Sequence, residues 1–297
     1  MGAGHFLGFR TSIECTGEHS RPDGRRRRLG VTCPKCESTE IGTIATRKLF
    51  QCNGCDYQFS VRVGTVLQDS KLPLWKWFLA TFLVIQSKKG ISSAQLSRMV
   101  GVTTKTGWYL SHRIRAAMTD DSILLSDTVE MDETYVGGKV RGRGRHYTGN
   151  KALVLGAVER GGSVKFGIAK SRDGAAFSRF ISENVDDSVK FVYTDGYDAY
   201  QTVPELRDED TTHEYVNHSA DEWVRGEVHT NTIESVWSLL KRSIIGSYHH
   251  LSMKHLPAYL DELEWRYNNR KNPYLFRDTL LRLCESDVLG YQELISA

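Results

Sequence analysis

No apolar run in this 297-residue chain reaches the roughly 18 residues that a membrane-spanning helix needs. Residues 1–7 lack the basic region and long apolar core of a secretion signal. Cysteine is scarce: there are six, four of them in closely spaced pairs, with Cys15 and Cys284 standing alone. That usage gives no disulfide framework and suits a reducing compartment. The expected location is therefore cytoplasmic. An excess of one charge sign is also missing, since the net charge is only +3. Total charge therefore decides little about partners, and its distribution matters more. With 40% hydrophobic and 25% charged residues, the chain has an ordinary globular composition and length for about two domains.

Two basic runs stand out. Arg25 to Arg28 are consecutive, and Lys139, Arg141, Arg143, Arg145 and Lys151 form a second cluster. Either run could neutralise phosphates, and either could equally be a solvated segment. Residues 1–30 are polar and read as a flexible basic arm.

Cys33-Pro34-Lys35-Cys36 and Cys52-Asn53-Gly54-Cys55 are separated by 15 residues. Two such knuckles predict a zinc ribbon over 31–70, with Cys33, Cys36, Cys52 and Cys55 as a closed tetrahedral shell. With no open position on the metal, that zinc is structural. Residues 41–51 look like a hairpin, and Tyr57, Phe59, Val61 and Val63 prolong the β pattern.

Over 71–120 the period changes to that of helices. Leu74, Trp77, Phe78, Phe82 and Ile85 line one helix. A short serine-capped helix follows and stops at Gly101, and Thr103 opens another. This is the pattern of a helix-turn-helix module, whose second helix would read DNA, with a plain helical bundle as the rival reading. Lys105, Arg113 and Arg115 are its expected exposed cations.

The stretch 121–297 reads as an α/β domain. Strands are expected around Asp132, ahead of a basic loop from Gly138, and over 152–159 and 164–170, with Gly161-Gly162 as a hairpin turn. A helix over 174–185 then precedes a strand that ends at Asp195. That order describes a ribonuclease-H-like mixed sheet. In it, Asp132 on the first strand lies beside Asp195 at the end of the fourth. A later amphipathic helix starts at Asn231-Thr232-Ile233-Glu234 and carries Lys241 two turns on. Asn231-x-x-Glu234 also has the spacing of a capping box. The two upstream aspartates favour the other reading, in which Asp132, Asp195 and Glu234 converge on two Mg²⁺ ions, or Mn²⁺ in their place. Carboxylates suit hard cations, and two ions about 3.5–4 Å apart can serve both oxygens of an in-line displacement at phosphorus.

Several phrases carry a family resemblance. They are Met131 to Gly138 (MDETYVGG), Tyr193 to Tyr197 (YTDGY) and His229 to Glu234 (HTNTIE). Trp237 to Arg242, Tyr248-His249-His250 and Arg266 to Arg270 add to them. Together they resemble bacterial insertion-sequence transposases of the DDE type, the subgroup with an N-terminal zinc ribbon. The resemblance implies an enzyme that binds the inverted repeats of its own element, cleaves to free 3′-hydroxyls and joins these to target DNA. It also implies a homodimer or larger assembly on double-stranded DNA in the nucleoid. Asp132 would bridge both ions, Asp195 would bind one and Glu234 the other. Lys241 would hold a phosphate, and Arg141, Arg143 and Arg145 would grip the transferred strand. Glu133 should face away from Asp132 on a regular strand. A nuclease that does not join strands, or a DNA-binding regulator without catalysis, are the alternatives.

Overall fold

A computed structural model describes residues 31–138, 149, 151–207, 211–249 and 251–296. In the cysteine segment, strands β1 (Ile41–Ile44), β2 (Leu49–Cys52) and β3 (Gln58–Phe59) form one antiparallel sheet. The two knuckles fold alike. In the first, Cys33 N–H donates to the Ser38 carbonyl and Glu37 N–H to the Cys33 carbonyl, both at 2.9 Å. In the second, Cys52 and Asp56 repeat those bonds with Tyr57 and Cys52, at 3.0 and 2.9 Å. Each turn places one residue at positive φ, Glu37 at 59° and Asp56 at 56°. Val61 and Val63 do not prolong the sheet. After Phe59 the backbone bonds locally, Val63 to Ser60 and Thr65 to Arg62, both at 3.2 Å, so no donor row faces β2.

Helices α1 (Leu74–Gln86), α2 (Ser93–Val100) and α3 (Thr104–Ala116) follow. Ser92 and Thr103 cap α2 and α3 through the N–H groups of Gln95 and Thr106, each at 3.2 Å. Gly101, at φ 67°, ends α2 in the left-handed conformation that glycine tolerates. Gly107 lets the two helices cross closely, because a Cβ there would sit 2.9 Å from the Ser93 carbonyl.

The core of these helices is not confined to residues 71–120. Trp77, Leu96, Leu110, Ile114 and Met118 pack with Trp265 and Leu283. Those two residues belong to α6 (Leu256–Asn268) and α7 (Leu275–Glu285). The structure corrects the expected exposure of two arginines. Arg113 is 1% exposed, donates to the Gln68 carbonyl at 2.8 Å and lies over the rings of Trp77 and Tyr109. Arg115 is fully buried, and its Nε donates to Glu262 on α6 at 2.6 Å. The C-terminal helices occupy the flank of α3 that an isolated three-helix module would leave open to solvent. Lys105 at the start of α3 does stay exposed, beside the ring of Tyr291.

The second sheet contains β4 (Thr128–Val136), β5 (Ala152–Glu159), β6 (Val164–Ala169), β7 (Phe191–Asp195) and β8 (Thr212–Val216), in the order β6-β5-β4-β7-β8. The first three are antiparallel, and β7 and β8 run parallel to β4. Helix α4 (Gly174–Asn184) makes the crossover that the parallel pairing requires. This is the ribonuclease-H-like arrangement. One face packs Val129, Met131, Leu155 and Val192 on Phe177 and Phe180 of α4. The other packs Val154, Val158 and Val164 on α6 and on α5 (Asn231–Ser243). Gly156 admits α5 close to the sheet, since a Cβ there would lie 2.5 Å from the Trp237 ring. A π-helical turn, Ile244–Tyr248, extends α5. Among the described residues no helix is long and apolar enough to cross a membrane.

Candidate active site and metal centres

The ladder between β4 and β7 pairs Thr128 with Phe191 and Glu130 with Tyr193, then stops. The same register continued by two residues brings Asp132 level with Asp195. Beyond Glu130 the two strands are no longer paired, and carboxylates from both faces meet there. One ligand oxygen from each of Asp132, Glu133 and Asp195 lies within 4.8 Å of the others. Asp132 accepts the N–H of Glu133 at 2.8 Å and the indole N–H of Trp237 at 2.9 Å. Asp195 accepts the N–H of Tyr197 at 3.2 Å. Glu133 does turn to the α4 side, as strand alternation requires. There Arg172 donates to one of its oxygens through Nε, at 2.6 Å, and through Nη2, and the Tyr200 hydroxyl donates to the other at 2.8 Å.

This crowding has an electrostatic consequence. Burial pushes the Asp132 carboxyl up to about 7, the charges of Glu133 and Asp195 add to the rise, and the two N–H donors only partly offset it. Burial raises Glu133 as well, against the pull of Tyr200 and Arg172. A cation would relieve such a cluster.

Glu234 lies in the first turn of α5, 47% exposed at its side chain, and is not part of the three-carboxylate group. It accepts from the Thr230 hydroxyl at 3.3 Å and lies 3.8 Å from Nε2 of His218. Trp237, one turn along, holds α5 against Asp132, so Glu234 is carried on the neighbouring turn of the same side. The capping box of Asn231 and Glu234 does not form. The N-cap is Thr230, which makes no side-chain cap, and the N–H groups of Thr232 and Ile233 donate instead to Glu130 at 2.7 and 3.1 Å. Lys241 is exposed on α5. Arg141, Arg143 and Arg145 lie outside the described residues.

Sequence reasoning missed Glu130, Trp237, Arg172 and Tyr200. Strand alternation puts Glu130 on the face of Asp132, a usable signal. Nothing near Arg172 or Tyr200 in the chain points to Glu133.

In the ribbon, the Sγ atoms of Cys33, Cys36, Cys52 and Cys55 lie within 4.8 Å of one another. Cys33 and Cys55 are 3.7 Å apart, and Cys36 and Cys52 are 3.5 Å apart. A tetrahedron with Zn–S bonds of about 2.3 Å has edges of about 3.8 Å, so the cradle already fits zinc. The carboxylate cluster offers only oxygen and fits Mg²⁺ or Mn²⁺ better.

A ribonuclease-H-like sheet with acids gathered at the end of its central parallel pair, behind a four-cysteine ribbon, defines the class. Comparison with known sequences narrows it. Residues 124–268 match the ISXO2-like transposase domain, and residues 23–58 match the transposase zinc-ribbon domain. An uncharacterized protein in transposable element ISH50 of Halobacterium salinarum is 31% identical over 267 residues, covering 84% of this chain and 89% of that protein. The chain belongs to this family of insertion-sequence transposases, with a DDE-type domain behind a zinc ribbon. Solved structures give remoter likenesses. The Mos1 strand transfer complex aligns at 9% identity and TM-score 0.32, over 75% of this chain and 82% of that one. A simian T-cell lymphotropic virus intasome, in complex with PP2A regulatory subunit B56 gamma, aligns at 16% identity and TM-score 0.29, over 64% of this chain and 65% of that one.

Proposed function

We propose that this transposase cleaves the ends of its own element and joins them to target DNA, using Asp132, Asp195 and Glu234 to hold two Mg²⁺ ions. Asp132 would help hold both ions, Asp195 one and Glu234 the other. When bound, the ions activate the attacking oxygen, water or a DNA 3′-hydroxyl, and neutralise the departing 3′-oxygen. Lys241, about 10 Å along α5 from Glu234, holds a backbone phosphate as a point charge. Lys105, at the exposed start of α3, and the arginines of the 139–151 segment neutralise further phosphates. Arg113 is left out of this set because it is buried. Joining two ends calls for at least two protomers on DNA.

The observation that carries this reading is the level placing of Asp132 and Asp195 beside the helix that bears Glu234. Glu133 is the rival third ligand, because its carboxylate already lies in the cluster. Its two oxygens are engaged by Arg172 and Tyr200, however, whereas Glu234 is half exposed and weakly held.

A joining assay with element-end duplexes and Mg²⁺ tests the proposal. The wild type yields cut 3′-ends and joined products. Glu234→Gln lowers both at least ~100-fold, or about 2.7 kcal/mol of barrier, while Glu133→Gln loses no more than about tenfold. The reverse ranking would make Glu133 the third ligand. Hydrolysis without joining would make the protein a nuclease, and DNA binding without cleavage a regulator.

A further inference from the structure

We propose that Glu130 is a positioning residue that fixes the first turn of α5, and with it Glu234, over the metal site. The inference rests on the reading of Glu234 as a ligand. Glu130 is fully buried, a costly place for a carboxylate unless its oxygens are satisfied. Donors from two segments reach it. Arg160 Nε lies at 2.7 Å, the Thr232 hydroxyl at 2.8 Å, and the N–H groups of Thr232 and Ile233 at 2.7 and 3.1 Å. Two of these are the orphan backbone donors of a helix start, which a cap satisfies. The cap of α5 is thus supplied from about one hundred residues away in the chain, and as an anion it also complements the helix dipole.

Geometry makes this more than a fold contact. Glu130 stands two residues before Asp132 on β4, on the same face. Thr232 stands two residues before Glu234. One strand therefore fixes both the first acid and the start of the helix that carries the third. Trp237 adds a second tether, its indole donating to Asp132 at 2.9 Å. Arg160 braces the cap by donating to the His229 carbonyl at 3.1 Å while lying 4.6 Å over the Tyr193 ring. A glutamine at 130 keeps one acceptor for the helix N–H groups, but its NH₂ then opposes Arg160 Nε, which can only donate.

The test uses the full-length protein and element-end DNA. Cleavage rate is titrated against Mg²⁺ for wild type, Glu130→Gln and Glu234→Gln, with melting temperature measured alongside. Glu130→Gln is expected to raise the half-saturating Mg²⁺ about tenfold, the effect of one lost cap, with most of the rate recovered at saturating metal. A purely structural role would lower the melting temperature and the active fraction but leave the Mg²⁺ midpoint alone, and that result overturns the inference. Glu130→Ala is expected to shift the midpoint further, but Glu130→Gln decides because it conserves shape. The Glu234→Gln arm separates the two claims. If it leaves both rate and Mg²⁺ midpoint unchanged, the ligand reading fails, and the positioning claim falls with it. If it abolishes cleavage while Glu130→Gln titrates like wild type, only the positioning claim fails.

Discussion

Asp132→Asn abolishes strand cleavage, by at least ~10³-fold, and at the same time stabilises the metal-free protein. The activity loss follows from removing the carboxylate that contacts both ions, which contribute several kcal/mol of charge stabilisation in the transition state. The stability gain follows from burial. Folding raises the Asp132 carboxyl from 3.8 to about 7. A raised folded-state value means that this group's contribution to stability is fully present below pH 3.8. It is lost progressively as the pH climbs through about 7. At 1.36 kcal/mol per unit, the metal-free protein forfeits on the order of 4 kcal/mol at neutral pH. The asparagine escapes that penalty but turns its NH₂ toward one of two donors, Glu133 N–H or Trp237 Nε1, and so keeps only part of the gain. Thermal melts in chelator should place the variant at least ~2 °C above wild type at pH 8, with the gap closing toward pH 4. Added Mg²⁺ should stabilise the wild type and not the variant.

Glu262→Ala has the largest expected effect on the fold. Glu262 is fully buried between Arg115 and Arg266, with contacts of 2.6 and 3.2 Å, and accepts the Tyr248 hydroxyl at 2.8 Å. Burial alone would raise its carboxyl, but the charges of Arg115 and Arg266 outweigh that and hold it below the usual range. This cluster ties α3 to α6 and to the π-helical end of α5, where Tyr248 packs so tightly under the α1–α2 turn that Gly90 has no room for a Cβ. Removing the anion leaves two buried guanidinium groups without their partner, at a cost of about 3–5 kcal/mol. The melting temperature should drop by about 6–15 °C. Replacing Arg115 and Glu262 together by methionine should recover the share of that loss that belongs to Arg115, while Arg266 still lacks its anion. Equal losses in the single and double variants would contradict this account of the cluster.

Much of this architecture is legible locally. The cysteine knuckles specify the ribbon, Ser92 and Gly101 delimit α2, and short apolar runs bounded by turn residues locate β4 and β5. Asp132 and Asp195 could be paired because the ribonuclease-H-like fold expected from the order of elements makes β4 and β7 neighbours. What escapes local reading depends on contacts made far along the chain. Arg115 looks like a solvated helix cation until α6 is laid against α3, and Arg113 until Gln68 and Trp77 close over it. Asn231 and Glu234 have capping-box spacing, yet Glu130 supplies the cap. Glu133 faces away from Asp132 on a regular strand, yet reaches the cluster because the β4–β7 ladder ends at Glu130.

The most direct test is a crystal of the DNA-bound protein soaked in Mn²⁺, read by anomalous scattering. Two peaks about 3.5–4 Å apart are expected, bridged by Asp132 and completed by Asp195 and Glu234, with Glu133 still held by Arg172 and Tyr200. Ions seated on Asp132, Glu133 and Asp195, with Glu234 still turned toward His218, would contradict it.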